Sequence, residues 1–207
     1  MKIKLIRDYY NEKEYLYDRT SIDLKPGFTV LVGCNGSGKS TMIRQIKHYC
    51  EENDIPVFLY DNYKNDNASN WDKWLNDGNI DFLTTSIVSS EGERIMINLN
   101  DIASQLGKFV QKNKGHKELV ILFDAIDSGF SIDNVIDFKE SLIEFIIDDC
   151  ERDGVTLYIV AASNAYELAR GEQCLNVQTC KYVTIKTYER YRNIVLITKE
   201  KKDARYK

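Results

Sequence analysis

Apolar residues near the start of the chain follow the pattern of short strands. Residues 1–10 and 14–24 are rich in Ile, Leu and Tyr, and the turn Lys25-Pro26-Gly27 separates them from the apolar run at residues 28–32. Such runs, bounded by a Pro-Gly turn, are typical of β structure. We therefore predict an antiparallel sheet that leads into one buried strand.

The pattern then changes to a helix followed by a strand. Apolar residues recur at helical spacing at Met42, Ile43, Ile46, Tyr49 and Cys50. A second apolar strand follows at residues 57–60. Residues 61–80 are crowded with Asn and Asp around Trp71 and Trp74, which indicates a surface excursion that the two tryptophans anchor.

Two later strands, at residues 119–123 and 156–162, are apolar on both faces. Amphipathic helices are predicted before each of them, at residues 93–112 and 132–146, and Gly154 is expected to stop the second helix. Strands that are buried on both faces and separated by helices belong in a parallel sheet covered by helices. The predicted fold class is α/β, with the antiparallel strands at the N-terminus.

A last helix is predicted from Tyr188, and it ends in the basic residues Lys199, Lys201, Lys202, Arg205 and Lys207. Such a run is typical of a solvated helix end, and a nucleic-acid contact is the alternative interpretation. The net charge of the whole chain is -4, so no global positive field would hold nucleic acid. A local patch stays possible, but composition does not support a nucleic-acid partner.

The length of 207 residues, 43% of them hydrophobic, fits one domain that covers residues 1–207. The five cysteines form no CxxC pair, and no signal segment opens the chain, so we expect a reduced, cytoplasmic setting. No apolar run approaches the ~20 residues that span a bilayer. We expect no membrane association of the chain by itself.

Residues 33–41 read GCNGSGKST and match the phosphate-binding pattern GxxxxGK[ST], between a buried strand and a periodic helix. Glycines let backbone N–H groups curl around phosphate oxygens, a lysine reaches the outer phosphates, and a hydroxyl binds Mg²⁺. A chance glycine-rich turn is the alternative. The predicted ATP-binding residues are Gly33, Asn35, Gly36, Ser37, Gly38, Lys39, Ser40 and Thr41, with Ser40 also binding Mg²⁺.

Asp124 ends the apolar strand at residues 119–123, where a carboxylate at the carboxyl edge of a sheet can hold Mg²⁺ beside the loop. A helix-capping or surface aspartate is the alternative. The stretch at residues 123–133, FDAIDSGFSID, resembles the Walker B segment and D-loop of SMC-type and related ABC ATPases, approximately FDEIDxxLxxx. Small bacterial and phage "AAA family" ATP-binding proteins share that wording.

The same family carries a signature, approximately LSGGQ or LSGGE, before Walker B, and residues 89–93 read SSEGE. The resemblance implies that Ser90 and Gly92 of one subunit close over the ATP of another, which gives a twofold homodimer. An ordinary capped helix start is the alternative. The family's switch histidine follows the next strand, where this chain has Asn164; that residue either contacts phosphate or water, or caps a helix at residues 165–170.

The family resemblance predicts a glutamate after Asp124 that deprotonates the attacking water, and the chain has Ala125 there. Loss of such a base typically lowers the rate ~10²- to 10⁴-fold while phosphate binding survives. Either the chain is a natural pseudo-ATPase or alanine replaces glutamate by substitution, and the intact neighbouring motifs favour substitution. Asp127 could act as a substitute base, but a structural D-loop residue is the preferred interpretation.

We therefore expect an ATP hydrolase of the ABC/SMC type that ATP and Mg²⁺ switch into a homodimer, with hydrolysis impaired. The resemblance of these motifs to those of SMC-type ATPases suggests, by analogy, a role in DNA maintenance or in phage and host conflict. The alternative is a nucleotide-binding regulatory protein that never turns over and acts through a protein partner. A P-loop kinase is a third, less favoured class, because SSEGE and the D-loop wording are not expected there.

Overall fold

A computed structural model describes residues 1–7, 15–61, 91–128 and 130–205, with only the backbone of residues 91–99. In it, β1 (Lys2–Lys4) pairs with β2 (Ser21–Asp23) in an antiparallel ladder. The predicted N-terminal antiparallel sheet is thus confirmed, although both strands are shorter than predicted. The predicted excursion at residues 61–80, apart from Asp61, lies outside the described residues.

The second sheet has six strands in the spatial order β4, β5, β6, β3, β7, β8. They are β3 (Gly27–Val32), β4 (Val57–Asp61), β5 (Glu118–Asp124), β6 (Thr156–Ala162), β7 (Gln173–Asn176) and β8 (Lys181–Val183). All neighbours are parallel except β7 and β8, which form an antiparallel pair. The predicted mostly parallel α/β architecture is confirmed, and the parallel strands share one carboxyl edge.

The described helices are α1 (Lys39–Glu52), α2 (Glu91–Lys112), α3 (Ile132–Asp137), α4 (Glu144–Arg152), α5 (Tyr166–Ala169) and α6 (Tyr188–Arg205). Between α3 and α4 the chain forms a π-helical segment, Phe138–Ile143, so the helix predicted at residues 132–146 is confirmed but has a wider turn in its middle. The wider turn places residues five apart on one face, and both Phe138 and Ile143 are buried. None of these helices is long and apolar enough to cross a membrane.

The six-stranded sheet separates two cores, because successive side chains of a strand point to opposite faces. From β5, Leu119, Ile121 and Phe123 enter one core, which α2, α4 and α6 also line, while Val120 and Leu122 enter the other. The second core contains the buried face of α1 and the β1–β2 pair. Helices on both faces hold the parallel strands in place, so the residues after each strand meet at a defined edge.

Candidate functional site

The glycine loop lies between β3 and α1, as the motif predicts, and its backbone conformation requires glycine. Gly36 has φ of 75° and Gly38 has φ of 99°, both in the region that side chains disfavour. A Cβ at Gly38 would also lie 2.9 Å from the Cγ of Leu16. The hydroxyl of Tyr17 donates a hydrogen bond to the Gly38 carbonyl at 2.9 Å, so the segment before β2 holds this turn.

Lys39 is the first residue of α1, and its side chain is folded onto the loop. Its Nζ donates to the carbonyl oxygens of Gly33 and Cys34, at 2.8 and 3.1 Å, and to Oδ1 of Asn164 at 2.9 Å. Burial lowers the pKa of Lys39, and the neighbouring charges, Asp127 and Asp124 among them, oppose that shift. The loop therefore holds a partly desolvated cation whose present acceptors are polar atoms of the protein.

Asp124 ends β5 and is only 5% exposed, so it is neither a surface residue nor a helix cap. Its Oδ1 accepts a hydrogen bond from the hydroxyl of Ser40 at 2.8 Å. Burial raises the pKa of Asp124, and the bond from Ser40 opposes the rise. The two residues predicted to bind Mg²⁺ are thus in direct contact at the carboxyl edge of the sheet.

A second carboxylate, Asp61, lies beside this pair. It ends β4 and is the register partner of Asp124 on the adjacent strand, and its charge contributes to the raised pKa of Asp124. The sequence analysis placed Asp61 at the start of the surface excursion, which is wrong for this residue, because Asp61 is the last residue of β4. The available signal was its position at the end of an apolar strand, which becomes informative only when β4 is known to neighbour β5.

Ala125 begins the turn after β5 with φ of 55°. Its amide donates to the carbonyl of Ala162 at 3.1 Å, and its carbonyl accepts from the Ser128 amide at 3.0 Å. The backbone thus connects β5 to β6, and the methyl side chain of Ala125 offers no hydrogen-bond acceptor. Asp127, two residues later, accepts from the Asn164 amide at 2.9 Å through Oδ2, which fits the structural interpretation of Asp127.

Asn164 follows β6 and connects three parts of the site. Its side chain accepts from Lys39, its amide donates to Asp127, and its carbonyl accepts from the Tyr191 hydroxyl at 2.7 Å. The short helix α5 has Ala165 at its N-cap and no side-chain cap, so Asn164 is not the capping residue. Its amide oxygen instead faces the lysine of the loop.

The C-terminal helix α6 packs against the loop, which sequence analysis did not predict. Oγ1 of Thr198, a residue that is 1% exposed, accepts from the amide of Cys34 at 2.9 Å. Arg205, also buried, donates to the Gly36 carbonyl at 3.2 Å. The helix therefore supports two backbone groups of the phosphate-binding candidate from outside the motif.

The remaining candidate residues are placed as follows. Asn35 is exposed, whereas Ser37 and Thr41 are buried. Gly92 lies in the first turn of α2, and Ser90 lies outside the described residues. Across the described part of the chain, no group of three or more His, Cys, Asp or Glu side chains is arranged to hold a metal ion.

No model of a protein family matches the chain, and no curated protein is significantly similar to it.

Proposed function

We propose that the chain binds ATP with Mg²⁺ at the loop of residues 33–41 and acts as an ATP-dependent homodimerising switch whose hydrolysis is impaired. The observation that carries the proposal is the contact between the loop and the sheet edge, where Ser40 meets Asp124 and Lys39 lies within the loop. A glycine loop at a helix N-terminus directs backbone N–H groups and the positive end of a helix dipole toward phosphate. The carboxyl edge of a parallel sheet is where such ligands bind.

Each residue has a definite role in this proposal. Lys39 exchanges its loop carbonyls for the outer phosphate oxygens, where a buried ammonium is a strong hydrogen-bond donor. Ser40 and Asp124 hold Mg²⁺, which usually takes few protein ligands and completes its shell with phosphate and water. A cluster of three protein ligands is therefore not required.

Hydrolysis is the step for which this chain lacks a group. Ala125 has no acceptor for the proton of the attacking water. We assign Asp127 a structural role because its Oδ2 accepts from the Asn164 amide, although its buried Oδ1 has no hydrogen-bond partner among the described residues. We infer slow turnover with intact binding. The same observation favours the second candidate function, a nucleotide-binding regulatory protein that acts through a protein partner and never hydrolyses ATP.

The homodimer part of the proposal comes from the resemblance to ABC/SMC ATPase heads. In that arrangement Ser90 and Gly92 of one subunit close over ATP on the other, and a partner protein or DNA reads the closed state. A role in DNA maintenance or in phage and host conflict is an analogy with those families.

The binding test compares Lys39→Ala with Lys47→Ala, which removes an exposed lysine of the same helix that pairs with Glu51. Titration with MgATP, measured by calorimetry, should give Lys39→Ala an affinity about ten- to a hundred-fold lower, since a charged hydrogen bond contributes about 1.5–3 kcal/mol. Lys47→Ala should bind MgATP with the affinity of the unsubstituted chain. Full affinity in Lys39→Ala would refute the assignment of the loop.

The switch test uses Ala125→Glu, with Ala125→Gln as a control of equal length that has no base. On the first function, Ala125→Glu raises the ATPase rate by ~10²- to 10⁴-fold and makes the ATP dimer transient, whereas Ala125→Gln leaves both unchanged. On the regulatory function, neither variant changes turnover. A chain that stays monomeric with bound MgATP in size-exclusion chromatography at high concentration would remove the dimer.

A further inference from the structure

A groove of about 680 Å³ lies between the β1–β2 pair and the sheet-edge strand β8, and no residue of the loop 33–41 lines it. Its charged and aromatic lining residues are Lys2, Arg19, Lys25, Lys181, Asp23 and Tyr182. Four cationic side chains and one carboxylate therefore face one groove of a chain whose overall charge is -4. Positive charge is therefore concentrated at this groove although the whole chain is negatively charged.

Among the described residues, none of the four cations of the groove forms an ion pair with a carboxylate, unlike Lys47, Lys139 or Lys201 elsewhere on the surface. The single acid, Asp23, instead faces the terminal ammonium of Met1 at 3.7 Å. The positive charge of the groove is thus available to an anionic ligand, and counterions that it holds would be released on binding.

An aromatic ring lies among these cations. The Tyr182 hydroxyl accepts from the Lys25 amide at 3.0 Å and lies 3.4 Å from Oγ1 of Thr29, so β3 and the turn before it fix the ring. The ammonium of Lys25 lies 4.6 Å from the ring centroid, and the Lys25 side chain is exposed. A base that stacks on that face of Tyr182 would displace this ammonium, and the half-buried ring then offers a stacking surface beside phosphate-binding charges.

We propose that this groove binds single-stranded nucleic acid, with phosphates on Lys2, Arg19 and Lys181 and a base stacked on Tyr182. Single-stranded nucleic acid is a polyanion that uses both features, because its phosphates are attracted by the cations of the groove and its unpaired bases stack on aromatic rings. A nucleotide bound at the loop would not require this groove. The inference therefore stands independently of ATP binding.

The experiment measures fluorescence anisotropy of a labelled 12-nucleotide oligothymidylate with the whole chain between 50 and 300 mM salt. The groove variant is Lys2→Gln, Arg19→Gln, Lys181→Gln. The matched control, Lys108→Gln, Lys112→Gln, Arg192→Gln, removes the same charge from exposed helix positions. At the lowest salt, the groove variant should lose about ten-fold or more in affinity, and its slope of log K against log salt should become shallower by about 2, since each single-strand phosphate contact contributes about 0.7.

The control should change affinity less than about three-fold at each salt. Tyr182→Leu should lose about five-fold or more without a change in salt slope, because stacking is not ionic. Thermal melting of each variant establishes that it is folded. Lys39→Ala should bind the oligonucleotide with the affinity of the unsubstituted chain. An error in the loop assignment and an error in the groove assignment therefore give different results.

Three outcomes would overturn the proposal. The natural chain could fail to bind the oligonucleotide at 50 mM salt, or the control could lose as much affinity as the groove variant. The third outcome is groove-dependent binding to vesicles of phosphatidylcholine with 30% phosphatidylserine but not to the oligonucleotide, which would make the ligand an anionic membrane surface.

Discussion

The contact between α6 and the phosphate loop can be tested by replacing one oxygen atom. Thr198→Val keeps the shape of the side chain, including the methyl group beside Gly33, which would lie 3.8 Å from a Cβ added to that glycine. It removes the hydroxyl that accepts from the Cys34 amide at 2.9 Å. The hydroxyl also donates to the Val195 carbonyl, which keeps its place in the helix.

The size of the effect follows from the burial of the donor. Cys34 is 6% exposed and Thr198 is 1% exposed, so water does not readily replace the lost acceptor. A buried donor left without a partner costs about 1–3 kcal/mol. The free energy of unfolding should fall by that amount, which corresponds to about 2–4 °C of melting temperature per kcal/mol in a chain of this size. If the loop rearranges to satisfy the amide, ATP affinity can fall by at most the same energy, about five- to a hundred-fold.

The assay combines thermal unfolding of the free chain with calorimetric titration of MgATP. Thr198→Ser retains the hydroxyl and should preserve ATP affinity, while Thr156→Val, at an exposed strand position, controls for the chemical change itself. Thr198→Val with unchanged melting temperature and unchanged affinity would refute the role of α6. An equal loss in Thr198→Ser, which keeps the hydroxyl but lacks the methyl group, would show that the methyl contact matters as much as the hydrogen bond.

Two further predictions concern buried ionisable groups. Asp124→Asn should leave the free chain at least as stable as the unsubstituted one, because burial disfavours the ionised carboxylate and an amide oxygen can still accept from Ser40. In a melting assay the variant should lose the stabilisation by MgATP, which is about 2.7 kcal/mol at a hundred-fold excess over Kd. A normal MgATP shift in this variant would contradict the metal assignment. Burial raises the pKa of Cys50 and Cys174 to about 12 and of Cys180 to about 11, so these thiols stay protonated in the fold while unfolded thiols ionise above their ordinary value of 9.0. Their contribution to stability is complete below pH 9 and is lost as pH rises toward 11–12, by about 1 kcal/mol for each thiol at pH 10. The free energy of unfolding from denaturant titrations should therefore be lower at pH 10 than at pH 8. Cys50→Ala should reduce this difference.

The elements that could be predicted from sequence are those whose signal is local. The loop, α1 and β5 follow from a fixed motif and from long apolar runs, and each was placed within a few residues. The strands β7 and β8 were missed because they are three to four residues long, and what makes β7 a strand is its pairing with β3, far away in the sequence. Neighbourhood in the sheet is also what gives Asp61 its position beside Asp124.

The face that α6 turns toward the loop could not be predicted either. Its apolar residues do not gather on one side, and Ile197 is 55% exposed while its neighbour Thr198 is 1% exposed. Hydrophobic periodicity therefore does not identify the inner face of this helix. The buried residues that matter, Thr198 and Arg205, are polar because their partners are backbone groups of the loop.

In the described site Lys39 and Ser40 already have partners, whereas the hydroxyl of Ser37 and Oδ1 of Asp127 are buried with no hydrogen-bond partner among the described residues. On the proposed function, the phosphate and the metal replace the bonds of Lys39 and the bond between Ser40 and Asp124. The net affinity is then a difference between two sets of charge-assisted hydrogen bonds, which is smaller than either set. On the proposed function, withdrawal of Lys39 toward phosphate breaks its bond to the side chain of Asn164, which also holds Asp127 through its amide. We therefore expect bound phosphate to affect the turn after β5, which begins with Ala125, even when no water is activated there.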